Sequence, residues 1–515
     1  MGPRGIADER HTPELRGRYW LTRALFLRAL ALIYLLGFLC LAQQLRPLIG
    51  ADGLLPARSY LQAVHTATGD RLSGFLELPS IFWLDDSDAC MQGAAYLGVA
   101  LSLVVLAGVA NAPLLACLWF LYMSFVHVGQ LFYGYGWEIL LLEAGFLAIF
   151  LCPPLAGAPF PVKVPPPPAI IWLLRWVLFR VMLGAGLIKL RGDPCWRDLT
   201  CMRYHYETQP IPNPFSWYLH QLPPWFHALE VLGNHFVELI VPWLLLAPRR
   251  LRHVGGLCLV GFQLYLIVSG NLVWLNWLTI TLCISCFDDQ ALSVLAPRRL
   301  RARLAALPAA PPTRLRRGVT YALVALVAYL SIAPVRNLLG ARQVMNGSFD
   351  RLHLVNTYGA FGSVGKVRHE VILEGTYDAA LSDATQWIEY EFKCKPGEVT
   401  RRPCVVAPYH YRLDWQIWFA AMEDPRANPW LVHFIYKLLQ DDPGALSLLA
   451  PSPFHHGPPK FIRAELYEYR FTTLGDRTRA WWTRRRVDAY LPPLSLDSPG
   501  LVRFLGAHGW LPATR

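Results

Sequence analysis

A lysine at the end of a long apolar segment is the residue best placed for chemistry. Lys189 follows Gly184 and Gly186, two small residues that allow neighbouring helices to approach closely. A lysine removed from water can have a lowered pKa and act as a general base. A lysine at a helix end also commonly extends to the membrane surface without any chemical role. Lys189 is therefore a candidate base, and a structural side chain is the alternative.

Four further charged residues lie inside apolar segments, where an unpaired charge is costly. They are Glu143, Arg180, Glu230 and Glu238. Arg180 lies near the middle of its segment and can pair with Glu143 of the preceding segment. The four residues indicate either structural ion pairs or a polar cavity that binds a ligand.

Four cysteines lie as two close pairs in polar stretches. They are Cys195 with Cys201, and Cys394 with Cys404. In an oxidising compartment each pair can close a short disulfide loop, and other connectivities stay open. Neither spacing matches a zinc site, and the fingerprints of serine hydrolases, P-loops and dinucleotide-binding folds are absent. We therefore expect neither a metal nor a cofactor.

The composition predicts a membrane protein. Of the 515 residues, 54% are hydrophobic and 16% are charged, and the mean hydropathy is +0.30. A soluble fold would have to bury too much apolar surface. The net charge of +12 comes from short arginine clusters between apolar segments, which are typical of membrane orientation signals. We expect lipid as a partner and no nucleic acid.

The hydrophobic pattern predicts about nine transmembrane helices after a cytoplasmic segment at residues 1–24. The nine apolar segments are Leu25–Leu41, Gln92–Val109, Pro113–Val128, Trp137–Leu151, Ala169–Leu190, Trp225–Ala247, Val254–Ser269, Leu272–Phe287 and Val319–Ala333. They define a helical domain over residues 25–334. Its longer outside loops are expected at 43–91 and 191–224.

Basic residues predict the orientation of the helices. If the N-terminal segment is cytoplasmic, every second loop should be cytoplasmic too. Those loops carry Lys163, a basic cluster at 249–252 and seven arginines between 298 and 317. The acidic loop 43–91 should lie outside. Nine crossings then place the C-terminal region outside the cytoplasm.

Residues 335–515 have a different composition and are predicted to form a separate α+β domain with a β-sheet, sandwich-like core. The strands are expected at Val367–Gly375, Trp387–Cys394 and Phe461–Phe471. Between them, Trp415 and Trp418 have the spacing of a helix. Asn346 begins an Asn-Gly-Ser sequon, a glycosylation candidate in a eukaryotic secretory pathway.

The sequence strongly resembles the lipase maturation factor family from about Tyr19 to Trp510. The resemblance lies in long, rare words: GAGLIKLRGDPCWRDLTCMRYHYETQPIPNP, WFHALEVLGNHFVEL, VSGNLVWLNWLT, RQVMN, VNTYGAFGS, YEFKCKPGEVTRRPCVVAPYHYRLDWQIWFAAM and RRRVDAYLPPLSL. It implies a polytopic protein of the endoplasmic reticulum membrane, with a lumenal C-terminal domain, that helps dimeric secreted lipases reach their active state. In a bacterial relative the same topology would apply to the cytoplasmic membrane, with the C-terminal domain outside.

This resemblance implies a folding factor without covalent catalysis, whose partner is a client lipase or another secreted protein. A rigid outside face would then hold the partly folded client. The candidate contact residues are Arg191, Asp193, Trp196, Arg197, Asp198, Tyr206, Trp415 and Trp418.

A shorter similarity links the membrane half to the vitamin K-dependent γ-glutamyl carboxylase family. It covers only Lys189 and Leu190, followed by Asp193 and Trp196. That similarity implies the alternative function, a membrane enzyme that uses Lys189 as its base.

Overall fold

A computed structural model of the chain describes residues 15–155, 164–307 and 313–511. Three parts of the predictions lie outside these ranges: residues 1–14 of the cytoplasmic segment, Lys163, and residues 512–515 of the C-terminal domain. The described chain is a bundle of helices followed by a region that contains small antiparallel sheets.

Eighteen α-helices precede the first strand within the described ranges. The first nine are α1 (Trp20–Ile49), α2 (Ala57–Thr68), α3 (Arg71–Glu77), α4 (Asp88–Leu106), α5 (Ala112–Val128), α6 (Gly136–Leu151), α7 (Pro168–Arg191), α8 (Pro194–Arg197) and α9 (Met202–Thr208). The next nine are α10 (Pro214–His220), α11 (Pro224–His235), α12 (Val241–Leu244), α13 (Arg249–Ser269), α14 (Leu275–Cys283), α15 (Asp289–Leu292), α16 (Arg298–Ala305), α17 (Arg314–Leu330) and α18 (Ile332–Leu339).

All nine predicted apolar segments contain helix, but they differ in length. Among the described residues, five helices are long and apolar enough to cross a membrane: α1, α4, α7, α13 and the continuous pair α17–α18. A bent pair, Leu275–Cys286 with Asp289–Leu295, raises the number to six if it is one span. A helical region that contains helices of membrane-spanning length is therefore confirmed. The count of nine stays a prediction, because α5 has 17 residues and α6 has 16.

The segment predicted as one span at Trp225–Ala247 is broken. A π-helical turn at Phe236–Ile240 separates α11 from α12, and Pro242 lies at the start of α12. Proline has no backbone N–H to donate to the carbonyl four residues earlier, here that of Glu238. A π-turn that contains Glu238, and a proline four residues after Glu238, therefore interrupt the regular helix of this segment.

Helix α1 is central to the bundle and packs against α4, α6 and α14. The rings of Tyr34 and Phe38 meet the ring of Tyr122 from α5 edge-on, with centroids 5.8 and 5.4 Å apart. A methyl group at Gly98 of α4 would lie 2.3 Å from the Phe38 ring. Gly98 is thus the small residue that permits the close contact between α1 and α4.

The C-terminal region contains six strands and four helices among the described residues. They are β1 (Gly347–Ser348), β2 (Asn356–Thr357), β3 (Arg368–Thr376), β4 (Ile388–Tyr390), α19 (Arg412–Ala420), α20 (Pro429–Leu439), α21 (Pro443–Ser447), β5 (Phe461–Phe471), β6 (Trp482–Leu494) and α22 (Pro499–Ala507). Strands β1 and β2 form one sheet, and the other has the order β4-β3-β5-β6. All pairs are antiparallel. Helix α19 packs on β3 and helix α20 on β5.

This architecture corrects the sandwich-like core that the sequence predicts. The larger sheet is covered by helices instead of by a second packed sheet. Strand β5 has the predicted bounds, whereas the strand predicted at Trp387–Cys394 is reduced to Ile388–Tyr390. Strand β6 was not predicted, because it lies at the sheet edge with most side chains exposed and so lacks a buried alternating face.

The C-terminal region shares its core with the membrane helices. Arg412 of α19 lies 2.8 Å from Glu138 of α6, and both side chains are fully buried. Glu138 also accepts hydrogen bonds from Tyr122 and Trp137. The Trp137 ring meets the Trp415 ring edge-on, with centroids 4.9 Å apart. A charged and aromatic contact therefore joins α6 to α19.

A second buried cluster attaches the end of α9 and the loop after it to β3. The Arg368 guanidinium donates to the backbone carbonyls of Glu207, Gln209 and Pro210 at 2.9, 2.5 and 2.9 Å. It also pairs with Glu370 at 2.5 Å. Because one guanidinium satisfies three carbonyls at once, the loop is held against the sheet.

We predict that Arg368→Met loosens residues 207–210 while the helical bundle stays folded. Removal of the donors leaves three buried carbonyls without these partners, so amide hydrogen exchange in the loop should rise by at least roughly tenfold. Hydrogen exchange followed by mass spectrometry of the purified protein measures this rate. Arg470→Met is the matched control, because Arg470 is an exposed strand residue paired with Glu468. Equal amide hydrogen exchange in residues 207–210 of both variants would contradict this role of Arg368.

Candidate functional site

A large cavity lies where the membrane helices meet the C-terminal region. Its volume is about 1120 Å³, and its helical wall comes from α7, α11, α13 and α14. The facing wall comes from residues 358–365 and from α19. The predicted site residues that line it are Lys189, Asp193, Trp196, Glu230, Glu238, Asn346, Trp415 and Trp418.

Lys189 is a buried member of an ion pair. Its Nζ lies 2.5 Å from Glu238 Oε1 and 3.1 Å from Asn234 Oδ1, and the ammonium also faces the Trp196 ring at 5.1 Å. Burial lowers the pKa of the neighbouring His205 to about 4, and the charge of Lys189 acts in the same direction. The arrangement has the contacts of a structural ion pair, with an uncharged imidazole beside it at neutral pH.

Glu230 lies in a separate group of hydroxyls and imidazole. It accepts hydrogen bonds from Tyr206 and Tyr265, whose hydroxyl oxygens are 2.7 Å apart. His227 Nδ1 is 2.8 Å from its other oxygen. The Glu230 carboxylate therefore has hydrogen-bond partners at the edge of the cavity.

Glu143 and Arg180 contact each other and also hold the C-terminal region. Both side chains are buried, and the Arg180 guanidinium binds the Glu143 carboxylate. Arg180 also donates to the Asn356 carbonyl at 2.5 Å, while Glu143 accepts from the Asn356 backbone N–H at 3.0 Å and from the Tyr358 hydroxyl at 2.6 Å. The pair therefore binds β2 and the residue after it.

The loop after Lys189 is braced by a disulfide bond between Cys195 and Cys201. Asp193 caps the short helix α8 by accepting from the Cys195 backbone N–H at 2.9 Å. The indole N–H of Trp196 donates to the Phe361 carbonyl at 2.7 Å. The loop is thus tied internally and to the C-terminal region.

The candidate contact residues divide by burial. Arg197 and Asp198 are exposed. Arg191 is exposed too, but it donates to the Leu338 carbonyl at 2.8 Å and to Gln343 at 2.7 Å. The buried candidates are Trp196, Tyr206 and Trp415. These three aromatic side chains pack inside the protein, so they offer no outer surface to a partner.

The second disulfide bond joins Cys394 to Cys404, so both predicted pairs are formed. Asp414 of α19 accepts from the backbone N–H groups of Cys394 at 2.6 Å and Lys395 at 2.9 Å. Burial raises the pKa of Asp414 to about 6, and the two N–H donors act against that rise. The disulfide loop is thereby attached to the start of α19.

Trp418 and Asn346 differ in burial. Trp418 is partly buried and donates its indole N–H to the Thr208 carbonyl at 3.2 Å. Asn346 is exposed, has a positive φ of 52° and accepts from the Gly359 backbone N–H at 3.3 Å. Its glycosylation stays a prediction.

Across the described ranges, no group of three or more His, Cys, Asp or Glu side chains is arranged to hold a metal ion. What the geometry offers is an apolar cavity with paired charges at its polar end, next to a disulfide-braced extramembrane region.

Comparison with known proteins extends over almost the entire chain. Residues 21–294 match the lipase maturation factor transmembrane domain, and residues 354–492 match the lipase maturation factor C-terminal domain. Lipase maturation factor 1 of Bos taurus is 50% identical over 503 residues, which are 93% of this chain and 90% of the relative. The chain belongs to the lipase maturation factor family.

Other members of the lipase maturation factor family also match over most of their length. Lipase maturation factor 1 of Homo sapiens is 48% identical over 533 residues, covering 99% of this chain and 93% of that protein. Lipase maturation factor 2 of Xenopus laevis is 31% identical over 609 residues, covering 96% of this chain and 85% of that protein. No solved structure matches the chain significantly. These findings confirm the family and do not support the carboxylase alternative.

Several residues that build this family member's site were not singled out in the sequence. Glu138 with Arg412 joins α6 to α19, and Arg368 with Glu370 holds the loop. Asn234 completes the contacts of Lys189. The sequence did indicate that Glu138 has a partner, since a carboxylate in an apolar segment needs one. It did not indicate which residues are the partners, because an arginine in a polar region looks like an ordinary surface residue.

We predict that Lys189 and Glu238 stabilise the fold as a pair. Lys189→Met should lower the melting temperature of the purified protein strongly, because it leaves a buried carboxylate without its cation, a loss of about 3–5 kcal/mol. The double variant Lys189→Met/Glu238→Leu should recover most of that loss, since an apolar pair needs no compensation. Thermal unfolding in detergent measures both, with exposed Arg197→Met as control. A double variant no more stable than Lys189→Met would refute the structural role.

Proposed function

We propose that this protein is a membrane-resident maturation factor that holds partly folded secreted dimeric lipases until they assemble. The observation that carries the proposal is the 50% identity to Lipase maturation factor 1 of Bos taurus over 93% of the chain. The match includes both the membrane domain and the C-terminal domain of the family. A maturation function that needs both parts is consistent with the buried contacts between them.

The proposed setting is the endoplasmic reticulum membrane, with nine crossings and a lumenal C-terminal region. The helical membrane region and the vertebrate relatives support a multi-pass protein of this compartment. The arginine-rich segment at 298–317 favours a cytoplasmic position just before the last span, α17–α18. The two disulfide bonds favour an oxidising compartment for the loop at 191–224 and for the C-terminal region.

Client binding is proposed at an exposed apolar surface made by α3 and residues 349–352. Leu72 and Leu76 of α3 are 67% and 55% exposed, and Phe349 is 53% exposed. Arg351 pairs with Glu77 at 2.6 Å and so holds the two segments side by side. Apolar surface of this kind is typical of protein interaction sites and would cover the apolar surface of an unassembled lipase. We name Leu72, Leu76, Phe349 and Leu352 the α3 surface.

The exposed loop residues Arg197 and Asp198 are proposed as further client contacts. They follow Trp196 in the disulfide-closed turn, whose position is fixed by the bond from Trp196 to Phe361. A fixed polar turn can orient a client without a covalent step. We propose no catalytic residue, since Lys189 is engaged by Glu238 and Asn234.

The α3 surface can be tested in cells that lack the endogenous maturation factor and express a dimeric lipase. Leu72→Ser/Leu76→Ser should lower the secreted lipase activity by at least roughly tenfold, because each leucine contributes about 1.5–3 kcal/mol when the bound client buries it. Crosslinking in native membranes should capture less lipase with the same variant.

The matched control is Val294→Ser/Leu295→Ser. These residues are 83% and 80% exposed and lie beside the basic segment expected in the cytoplasm. This control should support normal lipase secretion. Equal lipase secretion with the two double variants would contradict client binding at the α3 surface. The maturation function itself is wrong if the wild-type protein neither restores lipase activity nor crosslinks to lipase.

A further inference from the structure

The cavity described above has walls that belong to the membrane region. Its apolar lining includes Val181 and Met182 of α7 and Phe262 and Leu266 of α13, both of which are long enough to cross a membrane. The cavity volume of about 1120 Å³ is larger than the roughly 300–1,000 Å³ of ordinary ligand pockets. A ligand that fills this cavity must have a long apolar part.

The cavity also lies next to a surface suited to lipid. Leu229 of α11 lines the cavity and is 56% exposed. On the same segment Trp225, Leu232 and Phe236 are exposed apolar side chains. The π-turn follows directly after α11, so the regular helix beside the cavity is short. Lipid outside α11 is therefore the nearest source of a long apolar molecule.

Most charged side chains at the cavity wall are matched within the protein, and Asp193 accepts from the Cys195 backbone N–H at 2.9 Å. Lys189 is paired with Glu238, and Arg368 is paired with Glu370. Glu230 is hydrogen-bonded to two tyrosines and to a histidine. An ionic head group would have to break one of these buried pairs, at a cost of several kcal/mol. The paired charges therefore select against ionic lipids.

Two neutral polar side chains also line the cavity. Gln263 and Asn276 both line the cavity and are buried, and the Asn276 amide donates to Gln263 Oε1 at 2.7 Å. Among the residues that the structure describes, the one acceptor of the Gln263 amide nitrogen is the Met182 sulfur, at 3.7 Å. A thioether is a weak acceptor. The Gln263 N–H groups are thus suited to bind a hydroxyl or ester oxygen.

We propose that this cavity binds one long-chain lipid with an uncharged, oxygen-bearing head, of the acylglycerol class. The acyl chain lies along α7 and α13, and the head oxygens accept hydrogen bonds from the Gln263 amide. The lipid site is independent of the proposed lipase binding, because it uses the cavity and not the α3 surface.

The test uses the purified full-length protein and a monoacylglycerol with a photoreactive diazirine in its chain. Crosslinked peptides should concentrate in residues 181–185, 226–237 and 258–266. Unlabelled monoacylglycerol should compete for this labelling, and a lysophosphatidic acid of the same chain length should compete at least roughly tenfold less well. No lipase is present, so the outcome is separate from that of the maturation assay.

Two glycines provide matched variants. Added Cβ atoms at Gly233 and Gly261 would both meet no atom within 4 Å, but only Gly233 lines the cavity. Gly233→Phe should lower the labelling at least fivefold, and Gly261→Phe should leave it unchanged. Gln263→Leu, which removes the proposed donor, should weaken competition by monoacylglycerol and leave the melting temperature within a few degrees of wild type.

Three results would overturn the lipid site. One is labelling spread over the exposed helix surface, for example at Leu257 and Val268, without competition. Another is equal labelling of the Gly233→Phe and Gly261→Phe variants. Equal competition by the neutral and anionic lipids would contradict the uncharged head group.

Discussion

Two buried carboxylates on α6 are the constraint on which the rest of the structure depends. Glu138 and Glu143 lie in an apolar helix, where neither can be left without a partner. Glu138 is matched by Arg412 of the C-terminal region, and Glu143 by Arg180 together with the Asn356 backbone. Because removal of one partner from a buried pair costs about 3–5 kcal/mol, the membrane helices and the C-terminal region stabilise each other.

This coupling determines what the extramembrane face can do. Arg368 holds the loop after α9, and two disulfide bonds close the loop at Cys195 and the segment at Cys394. The cavity lies between walls that these contacts hold in position. A surface built this way is held in a fixed position, as the proposed client binding requires. The same walls enclose space for a lipid.

Sequence patterns predicted local features well and long-range partners poorly. All nine apolar segments contain helix, and β5 has its predicted bounds, because hydrophobic period is a local property. Glu143 and Arg180 could be matched since both lie in adjacent apolar segments. Arg412 could not be assigned to Glu138, 274 residues away, without the fold. The break at Pro242 was missed because the apolar composition continues through it.

The central claim is that buried pairs join the membrane helices and the C-terminal region into one body. It is tested most directly by a protease site inserted after Ala341, followed by cleavage and size-exclusion chromatography in detergent. The cleaved wild-type fragments should elute together, and the fragments of Arg412→Met/Arg180→Met should separate. Separation of the wild-type fragments on cleavage alone would contradict the claim.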